Sequence, residues 1–195
     1  MIYVIEGIFP DGYFGKYLIG LRVDMAVVDE MITILLPALN QHMAGLSLEK
    51  ELMTESDPPL VNMYTMQWFM TLFSNCLPRK LVLRIWDLLL LEGNEILIRT
   101  ALGIWEHLSD KIKFIDTADD FCAILNVLMK ELRELDDDQC DQLVENILSM
   151  VSFPFPRLEE FRDKYRNYDK NKNTKSSSSD IFASRRTSYI SMLSD

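Results

Sequence analysis

Cysteine, histidine, glycine and proline are all scarce in this chain, and each shortage closes off a class of protein. The 195 residues hold 3 Cys, 2 His, 7 Gly and 7 Pro. Cys76, Cys122 and Cys140 are widely spaced, no CxxC pair occurs, and only His42 and His107 could join them. No zinc site of ordinary ligand spacing can be written from that set. An odd number of thiols in apolar, helical contexts favours reduced cysteines in a reducing compartment. Two scattered histidines assemble no Ser-His-Asp or Cys-His set. There is no GxxxxGK[ST] and no GxGxxG, so nothing cradles a nucleotide phosphate. The sequence calls for no cofactor and no metal.

Long apolar runs are missing too. The four leucines Leu88 to Leu91 are far too short to cross a bilayer, and no transmembrane segment is expected. The stretch MIYVIEGIFPDGYF has no basic region of the kind that opens a signal peptide. Positive charge is in short supply: 20 Lys and Arg stand against 30 Asp and Glu, a net charge of −10. Phosphate repels such a protein and releases no counterions on contact, which excludes nucleic acid as a partner. The charge is uneven. Residues 169–195 carry five basic residues and three acidic ones, so the body before them is the acidic part.

What remains is helix-forming. Apolar residues make up 48% and charged residues 26%, with 11 Met. Little Gly and Pro beside much Leu, Met and Glu favours helix over strand. Met25, Val28, Met31, Ile32 and Leu35 recur at helical spacing and predict a helix over 24–35. Pro37 opens a short helix to Met43, and 45–57 reads as a loop closed by Pro58-Pro59. A helix is predicted over 60–76, then another from Pro78, as its first residue, to Leu91. Glu92-Gly93-Asn94 ends that helix and starts one reaching about Leu108. Thr117-Ala118-Asp119-Asp120 and Asp136-Asp137-Asp138-Gln139 read as capping boxes. Phe153-Pro154-Phe155-Pro156 leads stiffly into a last helix, 157–168. No run alternates with period two between hairpin turns. The expected class is all-α, an irregular stack of antiparallel helices, and the absence of a fixed internal period argues against a repeat array.

The stretch MYTMQWFMTLFSNCLPRKLVLRIWDLLLLEG, residues 63–93, holds two of the three tryptophans. Trp68, Phe69, Phe73 and Trp86 read as core anchors, with Arg84 and Asp87 paired one turn apart. As chemistry, Tyr64 and Gln67 are weak, because glutamine has no titrating group to serve as a base.

Gln67-Trp68-Phe69, Leu72-Phe73, Leu77-Pro78, Ile85-Trp86-Asp87 and Glu92-Gly93 stand in the order found in the C-terminal part of TBC domains, and the chain resembles that Rab GTPase-activating family over residues 1–168. The resemblance implies an all-α fold with Trp68, Phe69, Phe73, Trp86 and Asp87 as its structural core motif. It implies a Rab GTPase as partner, a regulator of an enzyme rather than an enzyme, and a cytoplasmic place peripheral to membranes through that Rab. The family works with an arginine finger in IxxDxxR and a glutamine finger in YxQGxN. Neither pattern occurs here, so no catalytic residue is assigned. Tyr64-Thr65-Met66-Gln67 has one residue too many and lacks the glycine. The expectation is a domain without its N-terminal half, inactive alone, with Ile2, Ile5, Ile8 and Phe9 in an exposed apolar patch that promotes self-association. The alternative is a non-catalytic helical module that binds a Rab or another protein. Residues 169–195 read as a disordered tail, with Ser188 behind Arg185-Arg186 as a phosphorylation candidate.

Overall fold

The computed structural model describes residues 7–9, 13–15, 17–49, 60–152 and 155–175. Among them are eight helices and no strand: α1 Ile19–Leu35, α2 Pro37–Glu49, α3 Leu60–Met70, α4 Arg79–Glu92, α5 Glu95–Ile112, α6 Ala118–Arg133, α7 Asp137–Met150 and α8 Leu158–Lys175. The start at Ile2 and Ile5, the Pro10-Asp11-Gly12 turn, the Pro58-Pro59 loop, Phe153-Pro154 and the segment with Ser188 lie outside the described residues.

The architecture follows from α5. Every residue from Ile96 to Trp105 is buried, then Leu108 and Ile112. A helix apolar on all sides must be enclosed, and α1, α3, α4, α6 and α7 all pack on it. Gly103 permits the tightest of these contacts. A Cβ added there would lie 2.5 Å from Ile147 Cγ1 and 3.3 Å from Ile147 Cα, so α5 and α7 meet almost backbone to backbone. α8 packs on α1, at the other side of the stack.

Several boundaries differ from those read in the sequence. α1 begins five residues earlier than Asp24, from Leu18 in the left-handed region at φ 49°. α2 runs through Gly45 to Glu49, because Leu46, one turn after Met43, is buried and holds that turn against the core. α3 stops at Met70, and residues 71–77 form a turn in which Leu72 and Phe73 both have positive φ, 47° and 63°. Pro78 is the N-cap of α4 and not its first residue, with an extended ψ of 147°. α5 continues to Ile112, and α8 continues to Lys175, past Tyr168. Asp136 and Gln139 form the reciprocal capping box. Thr117 accepts from Asp120 N but turns its own hydroxyl to the Asp120 carboxylate, so that box is half made.

Candidate functional site

The stretch around the tryptophans is built from burial first. Trp68, Phe69 and Phe73 are buried, and Trp68 lies against Trp105 with ring centroids 5.1 Å apart at 40°. A buried indole N–H needs an acceptor. Trp105 Nε1 donates to Thr65 Oγ1 at 2.9 Å, and that hydroxyl donates to Val61 O at 2.8 Å, so both polar groups are satisfied inside the core. Trp86 is only half-buried, and its Nε1 donates to Leu72 O at 3.0 Å. That bond pins the turn in which Leu72 and Phe73 hold their left-handed backbone. Phe73 N also donates to Trp68 O at 2.7 Å, and Arg133 Nη1 donates to Asn75 O at 3.1 Å. Strain of this kind persists where the surroundings over-determine it; here the buried Phe73 ring, packed on Phe69 and Trp68, does so.

Asp87 is exposed, and Arg84 does not pair with it. Arg84 Nη1 reaches across to Asp141 of α7. Lys80 does the same toward Asp137, so two of the three cations of α4 hold α7 from outside.

Two buried polar nodes were not singled out from the sequence. In the first, Arg162 of α8 grips Asp24 of α1 with Nε to Oδ1 at 2.8 Å and Nη2 to Oδ2 at 3.2 Å. Tyr13 donates its hydroxyl to Asp24 Oδ2 at 2.7 Å. Arg162 also donates to Glu159 Oε1 and to Asn94 Oδ1, both at 2.9 Å, and Asn94 Nδ2 donates to Ile8 O at 3.2 Å. Burial raises the pKa of Asp24, against the pull of Arg162 and the Tyr13 hydrogen bond. Burial beside that carboxylate pushes the Tyr13 phenol well up. Asp24 could have been noticed, since it stands between Leu21 and Val28 on an apolar face. Arg162 could not, because α8 is charged throughout.

In the second node, Arg99 of α5 donates to Glu92 Oε2 at 2.7 Å and to Leu148 O at 3.0 Å. It closes the corner at Gly93, whose φ of 84° lets α4 turn into α5.

None of these groups is poised for chemistry. The charged pairs are committed to each other, with Arg99 Nε the one guanidinium nitrogen among them left buried without a hydrogen bond. Burial pushes the Cys76 thiol up to about 12, so it is no nucleophile at neutral pH. Burial and the nearby Cys122 push the Tyr64 phenol up to about 12 as well, and its hydroxyl lies 3.4 Å from Cys122 O. Gln67 sits half-buried within α3, its carbonyl taken by Thr71. Among the described residues no cluster of His, Cys, Asp and Glu could hold a metal, and no helix is long and apolar enough to cross a membrane.

An all-helical stack around a Trp-Phe helix, a Leu-Pro break and an Ile-Trp-Asp helix stopped at Glu-Gly is consistent with the family that the sequence resembles. The Rab-GTPase-TBC domain family matches residues 2–113, and the chain belongs to it. It is 44% identical to TBC1 domain family member 30 of Homo sapiens over 167 residues, 85% of this chain and 18% of that protein. The Xenopus tropicalis member 30 is 43% identical over the same 85% of the chain and 18% of its own length. Small G protein signaling modulator 3 of Rattus norvegicus is 31% identical over 70% of this chain and 16% of that protein. The chain therefore spans about a fifth of the length of the relatives it matches, as the 18% and 22% covered of the human and mouse member 30 proteins show.

Proposed function

We propose that this chain is the supporting part of a Rab GTPase-activating unit. Joined to finger-bearing sequence it helps stimulate GTP hydrolysis by a Rab in vesicle trafficking, and by itself it does not. Its place is then cytoplasmic, at membranes only through the Rab. The observation that carries this reading is where the polar side chains go. A GTPase activator must present an arginine to the charge developing on the transferred phosphoryl group and a side chain that orients water. Arg99 and Arg162 are buried and committed to Glu92 and Asp24. Arg84, Arg157 and Arg166 hold carboxylates, and Arg133 holds a carbonyl. Gln67 is inside a packed helix.

A single-turnover GTPase assay tests the reading. Residues 1–195 alone give background hydrolysis with every Rab tried. A longer form carrying both IxxDxxR and YxQGxN accelerates hydrolysis on a subset of Rabs, and Gln67→Ala in that form keeps its activity per folded molecule. Clear stimulation by residues 1–195 alone would overturn it.

The second reading is a binding module without turnover. It is favoured by the outer side of α4, where Leu83, Leu90 and Leu91 are 49%, 55% and 80% exposed, a surface suited to another protein or a second copy. Rab binding by the longer form with no acceleration of hydrolysis would select it.

A further inference from the structure

α8 is attached to the rest of the protein in an unusual way. Between residues 158 and 167 only Leu158 and Arg162 are buried, while Phe161, Tyr165 and Arg166 are half-covered. Its hold combines Leu158, Phe161 and Tyr165 packed against the core with ion pairs to α1: Arg162 on the buried Asp24, and Lys164 on Glu30 at 2.7 Å and 2.9 Å. A buried ion pair gives little net stability, because desolvation of both charges offsets their attraction. Loss of either partner, by contrast, leaves an uncompensated buried charge. An element held this way is either docked with its charges matched or released with both in water.

The geometry supplies a pivot. Phe155 is buried, and its N–H donates to both carboxylate oxygens of Glu95 at 3.2 Å and 3.3 Å, which fixes the chain at the start of α5. Two residues later Arg157 is left-handed, at φ 61°. The geometry also supplies a reader. Arg162 touches Asn94, and the same Asn94 amide holds Ile8 O; Asp24, held by Arg162, accepts from Tyr13. Phe9, Tyr13 and Phe14 then pack ring on ring.

We propose that α8 is a detachable strap that swings about Arg157, and that Asn94 passes its docked state to residues 7–9 and 13–15. The strap's release frees Asn94 and strips Asp24, the acceptor of the Tyr13 hydroxyl, of its cation, and so loosens the segment that leads into α1. Anything that captures the Leu158, Phe161 and Tyr165 side of α8 thereby loosens a segment on the far end of the sequence. Among the described residues the polar contacts of α8 reach α1 and, at the start of α5, Asn94 only, so the centre of the stack stays closed.

Native-state hydrogen exchange on the full chain, read by mass spectrometry at rising sub-denaturing urea, tests the strap. Peptides from 158–168 and from 7–15 open together, at urea concentrations where 96–108 stays protected. Arg162→Ala speeds exchange in both by at least about tenfold, well short of the more than hundredfold that the full loss of one partner of a buried pair would give, and leaves 96–108 unchanged. Asn94→Ala speeds exchange in 7–15 and leaves 158–168 within about threefold of the parent. Opening of 158–168 only together with 96–108 makes α8 part of one cooperative unit and overturns the strap. An Asn94→Ala chain whose 7–15 peptides exchange as before overturns the relay. If Arg162→Ala does not fold, the urea series on the unaltered chain still decides.

Discussion

Arg162 and Asp24 are 138 positions apart in the sequence and joined by two hydrogen bonds, at 2.8 Å and 3.2 Å, in a place where both side chains are almost fully buried. Neither charge is tolerable there without the other. In a double-mutant cycle by urea denaturation, Asp24→Asn and Arg162→Gln together cost less than the sum of the two, with a coupling of roughly 0.5–3 kcal/mol. Additive costs would mean that the pair does not act as a unit.

Two glycines in helices should respond to alanine with opposite signs. Gly45 lies in α2 with open space around the site of a Cβ. Gly45→Ala gains helix propensity and stabilises by about 0.5–1 kcal/mol. At Gly103 the same change pushes a methyl into Ile147. Overpacking of that kind costs about 1–3 kcal/mol, more than the propensity returns. Thermal or urea unfolding of the two variants gives the signs, and a stabilised Gly103→Ala would refute the close approach of α5 and α7.

The tryptophans should rank by depth. Trp105→Ala removes a fully buried ring and leaves Thr65 without its donor, a loss of about 3–5 kcal/mol. Trp86→Phe keeps most of the apolar contact and gives up one hydrogen bond to Leu72 O, about 1 kcal/mol. Circular dichroism melts order them, and a Trp86→Phe chain less stable than Trp105→Ala would contradict the arrangement.

Acid should weaken the hold of α8 through Glu30. The hydrogen bond from Lys164 lowers the Glu30 pKa below 4.5. A carboxyl lowered on folding adds stability above its unfolded value, and that stability is lost as pH falls through the folded value. The pair is exposed, so the effect is small. Between pH 7 and pH 4 the urea midpoint of the unaltered chain should fall further than that of Glu30→Gln. Equal falls would remove Lys164 from the account of α8.

Period and punctuation made most of the helices readable beforehand. The apolar spacing of α1, the caps at Thr117 and Asp136 and the stop at Gly93 are local signals, and local physics enforces them. What could not be read was set by distant partners. The turn at Leu72 and Phe73 breaks a perfectly helical pattern because Trp86, fourteen residues on, takes the Leu72 carbonyl. Arg84 looked toward Asp87 on its own helix, but Asp141 across the groove was nearer to hand. The buried charge of Arg162 was hidden for the same reason, since its burial depends on a partner that no local pattern announces, whereas Asp24 stood out on an apolar face.

The packed indoles of Trp68 and Trp105 give the molecule an optical reporter of its own. Rings 5.1 Å apart and tilted by 40° couple their electronic transitions, and that coupling exists only while α3 and α5 stay in contact. Near-ultraviolet dichroism therefore follows the centre of the stack, while Trp86, half in water at the turn, colours the fluorescence of the periphery. A single unlabelled sample can thus distinguish loosening at the edge from collapse at the centre.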